Sequence, residues 1–532
     1  MNKRTIMLPA LMLVFFGLIF TACSGTKKAE TSTADKTERK GNVKGGLMVL
    51  AIGSDPSIVN PLYANDRVSL TIAHVLYDPL YTVKSGEIIY NGLAAQLEHS
   101  PDFLKYTLTF RKDVTWHDGT PLTAADMMYT LSVIMDEKQN TKGRSTFVFG
   151  DKSVKYTQKD DYTVEFELPQ INMSFTQDLA DVKPIPKHIY EGQADIAKSP
   201  DNAKPVGNGS FKFKEQKSGE LYQVERNDNY YGDVALLDGI VYRVIPDSNA
   251  VGIALENGEI TASYVRAAQV ERYKTNERLQ LVTFSEGMVN NIFFRVSNPK
   301  VNDVKVRQAL SYAIDKEKLL KGAYGGSEYA TIAHSPFSQE TQYYTNDVEK
   351  YPYNIEKAKE LLKEAGVASL SLRLMYTAGN AAQEKEGLLI QEMLKQIGVT
   401  VELLPLERGA FIEKLLNVNN QDFEMALNGY VMGDNPDTYR ALFTIGSPEN
   451  FSGYINSEIN TLFTAAAVET DNSKREKMYK DIQQMLVKDA VQISTAYVKS
   501  IVAVNKQFGN LEAAHPAPIH MFDYFNKISK NN

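Results

Sequence analysis

Val114-Thr115-Trp116-His117-Asp118-Gly119-Thr120-Pro121-Leu122-Thr123-Ala124-Ala125-Asp126 carries two local instructions in one run. Asp118 offers a short carboxylate to neighbouring backbone, and Gly119 tolerates a left-handed conformation, so the run reads as a tight turn. His117 beside it reads as a turn or surface residue in preference to a ligand. Thr123 followed by Asp126 is a capping-box pattern that opens a helix expected to reach about Met135. Outward from this turn–helix unit, residues 46–52 read as a buried strand. Residues 69–80 read as a helix with Ile72, Val75, Leu76 and Leu80 on one face. Residues 106–111 and 162–168 alternate with the period of strands. Further on, residues 354–365, 384–396 and 474–490 read as helices, and 399–404 as a strand, which makes a mixed α/β chain.

Composition allows a large folded body. The chain has 532 residues, 43% of them hydrophobic and 23% charged, enough for two to four domains. Lys and Arg number 58 against 65 Asp and Glu, for a formal charge of −7. A mildly acidic chain without a long basic run argues against nucleic acid as a partner. One cysteine excludes an internal disulfide framework or a cysteine-based metal cluster.

That cysteine marks the N-terminus. Lys3 and Arg4 precede an apolar run, 6–20, of secretory length, which ends Phe20-Thr21-Ala22-Cys23-Ser24-Gly25. The ending resembles a bacterial lipobox, with Phe20 where leucine is usual. It implies that 1–22 is a signal peptide and that Cys23 is lipidated. The alternative is ordinary cleavage after Ala22, leaving a free thiol. Residues 23–43 are polar and without periodicity. They are expected to form a disordered tether, and about 20 such residues reach roughly 25 Å. No later stretch is long and apolar enough to suggest a membrane span.

Catalytic motifs are missing. The seven histidines form no zinc-hydrolase pattern, and no nucleophile elbow or phosphate loop occurs. Gly207-Asn208-Gly209 lacks the third glycine and the acid of a dinucleotide site. The 29 tyrosines and 23 phenylalanines against one tryptophan suit a large cleft that is apolar yet able to hydrogen-bond, although most must serve the core. Arg307 is expected to anchor its helix through a carboxylate or carbonyls.

The opening run resembles the signature of the bacterial extracellular solute-binding proteins of family 5, binders of peptides, oligopeptides and nickel that feed ABC importers. Further matches follow in family order: Tyr77-Asp78-Pro79-Leu80, Pro205-Val206-Gly207-Asn208-Gly209-Ser210-Phe211, Val244-Ile245-Pro246-Asp247 and Asp303-Val304-Lys305-Val306-Arg307-Gln308-Ala309-Leu310. Ser210 stands where the family has proline. The resemblance covers about 45–525. It implies a periplasmic-binding-protein-like α/β fold of two lobes joined by two hinge strands. Lobe I would take 44–285 and 495–532, with an inserted subdomain near 82–200, and lobe II 286–494. The chain would cross at 288–294 and 494–502, and the lobes would close on ligand like a hinge.

The resemblance also implies the ligand contacts. Gly429-Tyr430-Val431-Met432-Gly433-Asp434-Asn435-Pro436-Asp437-Thr438-Tyr439 resembles the family's cleft segment, in which an aspartate pairs with the ligand's α-ammonium. Tyr430 takes the tryptophan position and Asn435 that of the first aspartate. Asp434 is the first candidate for the clamp and Asp437 the second, with ordinary loop capping as the alternative for either. Tyr63, Asn65, Asp66, Asn290 and Asn291 are candidate wall residues, against plain turn or sheet roles. The expected protein is a monomeric, non-enzymatic, extracytoplasmic lipoprotein without cofactor, which passes peptide to a permease. A non-peptide solute such as a metal chelate or sugar derivative, or a receptor for peptide signals, are the alternatives. Cys23→Ala should move the protein from the membrane to the soluble fraction, because lipid chains supply the only anchor. Equal membrane association of mutant and wild type would contradict the lipid.

Overall fold

The computed structural model describes residues 43–266 and 269–531; the leader, Cys23 and all of the expected tether but its last residue lie outside them. Among the described residues, no helix is long and apolar enough to cross a membrane.

The architecture turns on two long strands, Leu279–Phe294 and Gln492–Asn505. They pair antiparallel from Leu279 opposite Asn505 to Phe293 opposite Gln492, and both expected crossings lie inside them. Together they form the middle of one mixed sheet. On one side follow Ala262–Tyr264, Leu47–Ile52, Gly239–Val244, Leu221–Arg226 and Phe211–Lys217. On the other lie Met425–Val431, Leu370–Thr377 and Val399–Leu406. Leu47–Ile52 and Leu370–Thr377 each run parallel to both neighbours, as α/β lobes require.

The same two strands divide the core. Val502 and Val504 join Met48, Leu76, Trp116 and Phe166 in the core of lobe I. Ile292, Phe294 and Ile493 join Leu310, Leu374 and Ile390 in lobe II, and Val289 and Tyr497 pack with Phe337, Tyr439 and Phe463 in its second cluster. Between the halves the register slips from Ser285 to Met288, where Gly287 takes φ +69°. Two extra residues there, Glu286 and Gly287, bend the strand and add twist between the lobes. A separate antiparallel sheet, ordered Ala94–His99, Lys105–Phe110, Thr163–Glu167, Lys155–Asp160, lies within the expected insertion.

The opening run folds as its chemistry dictates. Thr120 N–H donates to Asp118 Oδ1 at 3.0 Å and Gly119 adopts φ +91°. The helix spans Ala124–Met135, and Thr123 N–H donates to Asp126 Oδ2 at 2.9 Å. His117 pins the turn to the glycine loop: Gly207 N–H donates to its Nδ1 at 3.0 Å, and its Nε2–H donates to Gly209 O at 3.1 Å. Burial holds its pKa down to about 4, against the opposing effect of the bond to Gly209 O.

One helix differs from expectation: it spans Arg67–Leu76, starting earlier and stopping sooner than 69–80. Asp66 caps it by accepting Ser69 N–H at 2.9 Å. Pro79 disfavours helical backbone at Asp78, so the chain leaves the helix although Leu80 stays buried.

Arg307 anchors through carbonyls: its Nη1 donates to Asn302 O at 2.7 Å and Val301 O at 2.9 Å, its Nη2 to Asp489 O at 2.7 Å. Arg307→Leu strips these buried carbonyls of their donors and should cost about 3 kcal/mol. Chemical denaturation reads this directly, and a midpoint equal to wild type would contradict the anchor.

Candidate functional site

The lobes meet where the lobe I segment around Met173–Lys183 faces the lobe II loop Gly433–Tyr439. Met173 N–H donates to Ala467 O at 2.9 Å. Ser174 Oγ donates to Asn435 Oδ1 at 3.3 Å, and Asn435 Nδ2 lies 3.4 Å from Asp178 Oδ1, a long contact. Asn435 also accepts Asp437 N–H at 3.0 Å and so caps the short helix Pro436–Tyr439. One side chain therefore orders the loop and touches the opposite lobe.

Acids gather at this seam. Burial, then the neighbouring Asp181, pushes the Asp178 carboxyl up to about 7, and Asp437 across the seam adds to the effect. Burial raises Asp181 as well; Lys183 opposes this, and Asp434 from lobe II adds to it. Asp434 itself is raised by burial. Its backbone carbonyl accepts Gln342 N–H at 2.8 Å. Among the described residues, no other residue donates a hydrogen bond to the Asp434 carboxylate. Asp437 differs, since its Oδ1 accepts Arg440 Nη2 at 2.9 Å and the Tyr479 hydroxyl at 3.1 Å. Arg440 faces Asp437 and Lys183 acts on Asp181, whereas no cation is among the groups that act on Asp434, and one beside it would relieve its desolvation.

The other candidates have structural partners. Tyr430 is only 7% exposed and lies in the lobe II core. Its hydroxyl donates to Pro336 O at 2.6 Å and accepts Gln492 Nε2 at 2.7 Å, so it packs beneath the loop instead of walling the cleft. Asn291 is buried, accepts Gln492 Nε2 at 2.7 Å and donates to Val289 O at 2.8 Å. Asn290 donates to Tyr324 OH at 2.6 Å, and its carbonyl accepts Thr495 Oγ1 at 3.0 Å. These two asparagines brace the crossing strands. Tyr63 donates to Gln139 Oε1 at 3.1 Å, and burial first raises its pKa to about 12. Asp66 is buried in part, yet hydrogen bonds from Ser57 and Ser69 prevail and hold it at about 2. Asn65 is exposed.

Asp178 and Asp181 are the residues that sequence reasoning missed. The signal was slight: Asp178-Leu179-Ala180-Asp181-Val182-Lys183 sets three charges among the buried Leu179, Ala180 and Val182.

A family model described as bacterial extracellular solute-binding proteins, family 5 (Middle), matches residues 89–453. The oligopeptide-binding protein AppA of Bacillus subtilis is 33% identical over 514 residues, 92% of each chain. The crystal structure of the ABC transporter substrate-binding protein CtaP of Listeria monocytogenes is 37% identical with a TM-score of 0.89, covering 92% of this chain and 100% of that one. The structure of B. subtilis AppA in complex with a nonapeptide is 28% identical with a TM-score of 0.74, covering 92% of this chain and 100% of that one.

The raised Asp178 carboxyl has a consequence for stability. The folded protein keeps this proton up to about pH 7, whereas an unfolded chain releases it near about 3.9. Stability is therefore lost as pH rises through that window, and the loss is complete above it. Asp178→Asn keeps the shape and removes the titration. Its melting temperature should gain on wild type between about pH 4 and about pH 8, and a gap that stays constant over that range would contradict the shift.

Proposed function

Because this chain belongs to the bacterial extracellular solute-binding proteins of family 5, we propose that it captures peptides outside the cytoplasm and hands them to the permease of an ABC importer. Peptide lies between the lobes, its backbone hydrogen-bonded like an added strand, so that affinity needs little sequence selectivity. Asp434 pairs with the peptide's α-ammonium. Lipid on Cys23 and a tether over 23–43 hold the monomeric body, with lobe boundaries near 285 and 495, close to the membrane. Binding proceeds without turnover.

One observation carries the reading. Of the two acids in the loop, Asp437 is committed to Arg440 and Tyr479, whereas the Asp434 carboxylate is half-buried, has no donor from another of the described residues and acts on Asp181 across the seam. A lone desolvated carboxylate at a lobe junction is stabilised by a ligand cation.

Calorimetry with free and N-acetylated peptides tests it. Removing one partner of a buried charge pair costs about 2–5 kcal/mol, so Asp434→Asn should weaken free peptide by roughly 30-fold or more. N-acetylated peptide should bind wild type poorly and the mutant no worse. Asp437→Asn should disturb lobe II stability more than affinity. Equal affinity of free and acetylated peptide for wild type would sink the ammonium clamp.

A further inference from the structure

The seam between the lobes sets acids against one another: Asp178 and Asp181 of lobe I, Asp434 and Asp437 of lobe II. All but one meet a counter-charge in the proposed complex. Asp437 holds Arg440 at 2.9 Å, Lys183 acts on Asp181, and the peptide's α-ammonium is assigned to Asp434. Asp178 is left with neutral partners. Its Oδ1 takes the long contact from Asn435 Nδ2 at 3.4 Å, and Asn172 is the other amide that acts on it. We infer that Asp178 takes up a proton from solvent when the lobes close on peptide, so that capture is favoured in acid and release as pH rises. The inference rests on the peptide reading above and adds to it a regulation of the same cleft.

The elements packed around Asp178 commit their cations elsewhere. Its helix, Phe175–Ala180, lies against strand Thr82–Lys84 and helix Arg144–Phe147. Lys84 is exposed and acts on Asp523, and Arg144 pairs with Glu137 at 2.7 Å. Asp178 shares a cavity wall with two lysines and two histidines. Of these, Lys142 is exposed and in the field of Asp66, and Lys183 Nζ donates to Tyr77 O at 2.7 Å. Burial first holds His74 down to about 3 and His520 well below its ordinary value, so both stay neutral. Tyr81 gives its hydroxyl to Thr176 O at 2.8 Å. From lobe II, Arg440 faces Asp437, and Arg475 acts on Tyr106, which packs on Phe175. Among the described residues, Asp178 forms no ion pair, and its contact across the seam is to a neutral amide.

Closure makes the difference. Asn435 and Ser174, both buried, meet at 3.3 Å and shut the seam beside Asp178. Opening the lobes replaces this cover with water and takes Asp437 away, and a hydrated carboxyl ionises near its ordinary value. In the closed seam burial first, then Asp181, pushes Asp178 up to about 7. The closed form therefore keeps the proton over a range in which the open form has released it. A group whose pKa is higher in the closed form makes closure bind a proton, so affinity rises as pH falls through that range.

Calorimetry with a tetrapeptide and a nonapeptide of alanine and glycine, run in buffers of unlike ionisation enthalpy, counts the protons taken up. Neither peptide has a titrating side chain, and the α-ammonium stays charged below about pH 7. At about pH 6 the wild type should take up at least about half a proton per peptide bound. Its affinity should rise at least about fivefold from about pH 7 to about pH 5.5. Asp178→Asn should take up almost none, and its affinity should change by less than about twofold over that range. Binding by the wild type without uptake, or uptake that persists in Asp178→Asn, overturns the inference and leaves the peptide reading standing. If neither peptide binds, both fall together. The wild-type uptake and pH profile can overturn the inference whether or not the variant folds.

Discussion

The antiparallel pairing of Leu279–Phe294 with Gln492–Asn505 holds the molecule together and also lets it divide. Each strand gives one end to the core of lobe I and the other to lobe II, so neither core is complete without both. Main-chain hydrogen bonds along the pair resist separation of the lobes, whereas the register shifts at Ser285–Met288 and at Asn290–Asn291 bend and twist the pair between them. Asn290, Asn291, Gln492 and Thr495 tie the lobe II side of the pair to Tyr324 and Tyr430. Bending at these shifts would turn one lobe against the other.

What meets at the seam between the lobes is charge. Asp178 and Asp181 on lobe I come within the fields of Asp437 and Asp434 on lobe II, and burial raises the pKa of Asp178, Asp181 and Asp434. Closing two acidic walls costs free energy unless a proton or a cation joins them. In the proposed function the ligand's ammonium supplies that cation, so the same groups that oppose empty closure would favour closure on peptide. Asn435, bonded to both lobes, contributes a neutral contact that positions the walls without neutralising them.

Local chemistry was readable from residue types. Asp118-Gly119, the Thr123–Asp126 box and the guanidinium of Arg307 act on backbone within a few residues or through a donor set that only carbonyls satisfy, and each behaves as its type requires. The family pattern carried the two-lobed fold, because its motifs are these turns and anchors. The cleft was harder. Asp434 and Asp437 are equivalent until packing shows that Arg440 and Tyr479 take the second. Tyr430 reads as a cleft aromatic, yet its hydroxyl finds Pro336 and Gln492 below the surface. Asp66 reads as a wall residue until Ser57 and Ser69 claim its carboxylate for a helix cap. Asp178 gained meaning only through Ser174 and Asn435, which are 261 residues apart in sequence.

The central claim is that the space between the lobes holds peptide by its charged end and backbone. Native mass spectrometry of the protein purified without added ligand addresses it most directly. The account predicts a family of bound masses that dissociate and sequence as peptides of varied composition. A single bound mass that is not a peptide would contradict it.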